Sequence, residues 1–350
     1  MKKIGILTFN RAVNYGAVLQ AYALKFACNK YSETEIINYK NEKIENFYSL
    51  SSKNPLKTIS RKIMFAKRNK KFFDFIDSNA TTTKYDKENF GTIENSFDKI
   101  IVGSDQVWNL DCSGNDYTYL LKGVPNNIKK YSYAASFGAS YLPEEQLPAF
   151  EKSLPEFRKI SVREETGKKI LKEQLDLDSE VVLDPTLLLD REEWRQGLNF
   201  NKIDKKYILT YFMDGDQELK EIAECVSKAT GMPIFNLARL TTDFFGNKVI
   251  KKAGPKEWVE YFYNAEFVVT SSFHGTAFAI NFGKQFYTYA KNNRSSRIVD
   301  LLKTLGIENR RISDANEVDL NQKINYDEVN IKLNEEKKKS YEFIESIIND

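Results

Sequence analysis

Short runs of β-branched and aromatic residues, each followed by a stretch of helical periodicity, recur along almost the whole chain. KIGILTF (3–9) reads as a strand and leads into a helix over about 14–28, with Ala17, Leu19, Ala21, Leu24 and Ala27 available for packing. Strands are expected at 34–39, 98–103, 130–136 and 159–163, and helices at 144–157 and 165–175. Alternation of this kind makes βαβ units, which build parallel sheets covered on both faces. After VVLDPTLLLDREEW (181–194) the pattern restarts, with strands at 207–213, 233–237, 266–271 and 285–290. Helices are expected at 217–230, 255–264, 275–283, 296–305 and about 327–349. A length of 350 residues exceeds the ~150–200 of one domain. The expected architecture is α/β in two domains, 1–189 and 190–350, with the final helix packing back on the N-terminal domain.

Composition removes several classes of function. A hydrophobic share of 41% supplies sizeable cores and argues against disorder. Fifty-two basic residues against 49 acidic ones give a net charge of +3, so no nucleic-acid partner is expected. Cys28, Cys112 and Cys225 are far apart and odd in number, and His274 is the only histidine. No disulfide framework and no metal site is expected from such a set, which fits a reducing cytoplasm. The apolar part of MKKIGILTFN is too short for a signal-peptide core, and no stretch approaches the ~20 residues of a membrane span. The expected location is cytoplasmic, with peripheral contact at the inner face of the membrane left open by one segment. That segment, 56–76, reads as a helix with seven Lys/Arg between Lys57 and Lys71 and an apolar face from Ile59, Ile63, Phe72, Phe73 and Ile76. It suits an anionic lipid surface or, equally simply, an amphipathic helix with a solvated basic face.

In open α/β sheets ligands gather beyond the carboxyl ends of the strands. TFNRAVNYGA (8–17) places Asn14, Tyr15 and Gly16 at a helix start, where backbone N–H groups suit an anion or a sugar hydroxyl. A plain helix cap by Asn14 is the alternative. VGSDQVWN (102–109) ends a strand with Ser104, Asp105 and Gln106, a hydroxyl, a carboxylate and an amide fit to grip a polyol. Asp105 can accept a hydroxyl proton. YAASFGAS (133–140) adds Ser136. Arg163, directly after the strand in ISVREETG, can take phosphate or carboxylate bidentately, or pair with Glu164 or Glu165. In VVTSSFHGTAFAINFGKQF (268–286), Ser271 and Ser272 precede His274 in a turn expected to open a helix near Gly275. An imidazole there can change protonation when an anion arrives. Arg294 and Arg297 in AKNNRSSR form a second expected anion clamp. The two halves would share a cleft.

Six stretches in order resemble the polysaccharide pyruvyl transferase family: NYGAVLQAYAL (14–24), VGSDQVWN (102–109), YAASFG (133–138), SVREETGKKIL (161–171), VLDPTLLL (182–189) and SSFHGTAFAINFGKQF (271–286). The resemblance implies two Rossmann-like domains facing a cleft, a GT-B-like architecture with the acceptor on the N-terminal side and the donor on the C-terminal side. It implies phosphoenolpyruvate as donor, no tightly bound cofactor, and a sugar or lipid-linked oligosaccharide as acceptor, with a ketal formed and phosphate released. The family histidine maps onto His274 and a family arginine onto Arg163. Several members carry an arginine two residues before that histidine. Ser272 stands there in this chain, so Arg294 or Arg297 is expected to replace it. A glycosyltransferase using a nucleotide sugar, and a non-catalytic sugar-binding protein, are the alternatives of the same fold.

Overall fold

The strand β1 (Ile4–Leu7), IGIL, is buried at every position, as a strand covered on both faces must be. The computed structural model describes residues 3–47, 55–200, 203–212, 217–238, 245–289 and 296–350. In it β1 sits inside a six-stranded sheet with β2 (Thr34–Tyr39), β3 (Ala80–Tyr85), β4 (Lys99–Val102), β5 (Lys129–Ser132) and β6 (Phe157–Lys159). The order is β3-β2-β1-β4-β5-β6, and every neighbouring pair is parallel. A two-stranded parallel ladder, β7 (Ser161–Val162) with β8 (Glu180–Val181), adjoins it through the bridge of Ala135 to Val162. The second sheet contains β9 (Ile208–Tyr211), β10 (Ile234–Leu237), β11 (Lys248–Ile250), β12 (Phe267–Thr270) and β13 (Gln285–Thr288). Its order, β11-β10-β9-β12-β13, repeats the winding of the first, again all parallel. The winding reverses between β1 and β4 and between β9 and β12, so the loops after these four strands flank the switch points.

Two compact units carry these sheets: residues 1–58, 72–189 and 336–350 in one, 59–71 and 190–335 in the other. In the first unit α1 (Tyr15–Asn29) follows β1, capped by Asn14, whose Oδ1 accepts from Gly16 N and Ala17 N. Trp108 is buried against Phe137 and Phe157. The C-terminal part of α12 (Tyr326–Ile348) belongs to this unit. Lys99 Nζ donates to the carbonyls of Ile347 and Ile348 at 2.7 and 2.8 Å, and Lys159 Nζ to that of Ser346 at 3.0 Å. Lysines from the sheet thus satisfy carbonyls that a helix end leaves open. In the second unit α9 (Pro255–Asn264), α10 (Phe273–Asn281) and α7 (Arg191–Leu198) share an aromatic core. Trp258 packs on Phe262 and Phe278, and Trp194 on Phe278.

Several elements differ from expectation for local reasons. The strand read at 159–163 is two strands in different sheets, because Ser132 and Ser161 replace ladder bonds with side-chain ones. Ser132 Oγ donates to Ser161 O, and Ser161 Oγ to Ser132 O. The helix read at 144–157 shortens to α5 (Leu147–Ser153), followed by a 3₁₀ turn before β6. The edge strands β3, β8 and β11 had no sequence expectation. They are short or partly exposed and need no apolar run. Residues 213 and 290, the expected ends of two strands, lie outside the described residues.

Candidate active site

In the first unit the loops after β1, β4, β5 and β7 are tied together by side chains. Thr8 Oγ1 donates to Ser104 O at 2.8 Å and accepts from Gln20 Nε2 of α1 at 2.8 Å. Asp105 has φ +79°, a left-handed conformation that aspartate tolerates better than most residues. Its carbonyl accepts from Ser136 N at 3.0 Å. Gly138 also has positive φ, and a Cβ there would lie 2.0 Å from Gln106 Nε2. The glycine therefore lets the Gln106 amide lie against the Ser136 loop. Ser104, Asp105, Gln106, Ser136 and Arg163, singled out from separate motifs, are thus brought together.

Arg163 is the hub of this cluster. Its side chain is 2% exposed and Nη1 lies 2.8 Å from Asp184 Oδ2, with Glu164 Oε2 3.6 Å from Nε. Ser104 Oγ donates to Asp184 Oδ2 at 2.9 Å, Thr186 Oγ1 to Asp184 Oδ1 at 2.7 Å, and Ser136 Oγ to Glu164 Oε1 at 2.5 Å. Burial lowers the guanidinium pKa, but Asp184, Glu164 and Asp105 more than offset it and the net shift is upward. The arginine stays charged and is held by protein carboxylates. The arrangement engages Arg163 with Asp184 and Glu164 at the centre of the cluster. Sequence reasoning missed Asp184, although it lies in the VLDPTLLL stretch, and weighed Glu164 only as a surface partner.

The N-terminal motif shows the helix cap that the sequence offered as the alternative. Asn14 is the cap of α1, and the buried Tyr15 ring packs on Phe72 at 4.8 Å between centroids. Gly16 is buried in the first helical turn, its N–H bound to Asn14. These three residues build the helix start. A residue not singled out, Asn10, is 3% exposed. Among the described residues neither its Oδ1 nor its Nδ2 has a hydrogen-bond partner. It lies just beyond β1, at the switch point.

In the second unit α10 begins at Phe273, two residues before its expected start, so His274 stands in the first helical turn. Ser272 is the N-cap: its Oγ accepts from Gly275 N at 3.3 Å and its carbonyl from Thr276 N at 2.9 Å. The oxygen of that hydroxyl is thus engaged in capping the helix. Gly275 allows the close turn, since a Cβ there would lie 2.4 Å from Thr270 Oγ1. Thr270 Oγ1 in turn donates to Tyr211 O at 2.6 Å, fixing β12 against β9. His274 is 9% exposed and meets the Phe273 ring edge-to-face at 5.2 Å. The Arg297 guanidinium, on α11 (Ser296–Leu305), lies 5.8 Å from the same ring. Ser271 is partly exposed at the end of β12. Arg294 lies outside the described residues. No group of three or more His, Cys, Asp or Glu among the described residues could hold a metal ion.

Among solved structures the chain is similar to UDP-GlcNAc 2-epimerase from Methanocaldococcus jannaschii in complex with UDP-GlcNAc and UDP. The identity is 14% over 95% of this chain and 93% of that one, with a TM-score of 0.50. It is similar to a putative UDP-N-acetylglucosamine 2-epimerase from Listeria monocytogenes, 8% identical over 97% and 90%, TM-score 0.51. An alpha-glucosyltransferase in complex with UDP is 10% identical over 98% and 95%, TM-score 0.50. At such identities the likeness concerns the fold alone, which is α/β with parallel sheets. No curated protein matches the chain. The family model for polysaccharide pyruvyl transferase matches residues 14–293, and the chain belongs to that family. It is accordingly a transferase, moving a pyruvyl group to a sugar acceptor.

Proposed function

We propose that the donor is phosphoenolpyruvate, that the acceptor is a sugar or a lipid-linked oligosaccharide, and that the product is a ketal with phosphate released. The reading extends to two Rossmann-like domains, about 1–189 and 190–350, with the acceptor on the first and the donor on the second. The enzyme would meet its acceptor in the cytoplasm at the inner face of the membrane. The observation that carries the reading is His274, the single histidine, held in the first turn of α10 at a switch point. A helix N-terminus favours an anion, and Arg297 stands across the Phe273 ring to add positive charge.

His274 protonates the methylene carbon of phosphoenolpyruvate, leaving C2 electrophilic. A sugar hydroxyl attacks C2 and passes its proton to Asp105. The C2–O bond to phosphate then breaks, and a second hydroxyl closes the ketal, its proton returning to His274. Gln106 and Ser136 orient the acceptor, with Ser271 beside the donor, while Arg163 keeps Ser104, Asp184 and Glu164 in register as a positioning residue.

The test is phosphate release from phosphoenolpyruvate against a panel of lipid-linked sugars, with products read by mass. General acid–base catalysis contributes ~10²–10⁴-fold, so His274→Ala is expected to lose at least ~100-fold in turnover while staying folded. Nucleotide release from a sugar nucleotide, with no phosphate from phosphoenolpyruvate, would refute the donor assignment.

A further inference from the structure

The helix α3 (Pro55–Asn79) carries two apolar stripes on different sides. Phe65, Phe72 and Ile76 are buried, together with Arg68, whose guanidinium lies 4.3 Å from the Phe65 ring. Spacings of three and four residues put these on one inward face. At about 100° per residue, Ile59, Ile63, Ala66 and Phe73 fall within about 80° of arc on the other side. Ile59 is 55% exposed, Ile63 73% and Phe73 40%, which corrects the single apolar face expected from the sequence. Phe47, at the end of α2 (Glu42–Phe47), is 75% exposed.

The charges on the helix divide in the same way. Lys71 pairs with Glu257 and Arg68 is buried, so these two are already engaged by the protein. Lys62, Lys67 and Lys70 are exposed, and the same 100° spacing sets them within or beside the outer stripe. The same spacing places Asp74 and Asp77, both exposed, on this outer side as well, where they offset part of the lysine charge. An isolated exposed apolar side chain is ordinary. Apolar residues at helical spacing with lysines among them form the surface of a helix lying in a membrane interface. Among the described residues no helix is long and apolar enough to cross a membrane.

We propose that this outer face of α3 docks on an anionic lipid surface. Ile59, Ile63 and Phe73 enter the boundary between headgroups and acyl chains, while Lys62 and Lys67 meet lipid phosphates. The lysines choose between occupants. A second copy joined through the same patch would set lysines against lysines, whereas anionic lipid neutralises them. The inference rests on the surface of α3 and is independent of the transfer chemistry.

The experiment is co-sedimentation of the full chain with vesicles of phosphatidylcholine alone or mixed with phosphatidylglycerol. Binding is expected only to the mixed vesicles and should weaken as salt is added. Substituting Lys62→Gln and Lys67→Gln together should lower partitioning roughly fivefold per lysine, about 25-fold in all. Ile59→Ser with Ile63→Ser should also release the protein, with an unchanged circular dichroism spectrum because both side chains are exposed. Equal pelleting on both vesicles, or none on either, overturns the proposal. So does a dimer in sedimentation equilibrium that the serine variant dissociates.

Discussion

Removing the Asp184 carboxylate tests whether Arg163 frames the first unit. In Asp184→Ala the guanidinium loses its 2.8 Å partner while its side chain is 2% exposed. Ser104 Oγ, Thr186 N and Thr186 Oγ1 lose their acceptor at the same time. Breaking one side of a buried pair costs ~3–5 kcal/mol, because the remaining charge stays desolvated. At ~2–4 °C per kcal/mol for units of this size, the unfolding midpoint should fall by roughly 6–20 °C. Thermal unfolding followed by circular dichroism measures this directly. The double variant Arg163→Met with Asp184→Leu removes both charges, and its midpoint should recover most of the loss. Its turnover should remain low, because Ser104 and Glu164 are no longer held. A midpoint shift under ~2 °C in Asp184→Ala would refute the buried pair. Full turnover in the double variant would refute the framing role.

Three further outcomes are expected. Lys99→Met strips one buried and one partly buried carbonyl at the end of α12 of their donor, and at ~1–3 kcal/mol for each unsatisfied group should cost roughly 2–6 kcal/mol in urea unfolding. Asn10→Leu removes a buried amide that has no partner among the described residues. Its stability should match or exceed that of the parent while KM for the sugar rises, and destabilisation beyond ~1 kcal/mol would contradict this. Burial, reinforced by Arg191 and opposed by Glu266, lowers the Lys284 pKa from 10.5 to about 8. The unfolded chain then holds more protons between these values, so this lysine opposes folding below pH 8 and less so as pH rises towards 10.5. Lys284→Met should be the more stable protein at neutral pH, with the difference shrinking in alkaline buffer.

The parallel α/β character was legible because a central strand such as IGIL must be apolar on both faces, and burial writes itself into composition. The loops of the candidate site were legible for a related reason: they follow directly on those strands. Edge strands such as ATTTKY escaped, since an edge makes little demand on side chains.

Residue types and their order along the chain therefore determined the strand–helix alternation, the motif positions and the family. Which polar side chains are committed to one another was decided in three dimensions. Arg163 and Asp184 are 21 residues apart and paired, Ser272 spends its hydroxyl on a helix cap, and Ile59 and Ile63 face outward. Sequence periodicity reports that a face is apolar, but only the packing of neighbouring elements determines which apolar face is covered and which charge is already neutralised.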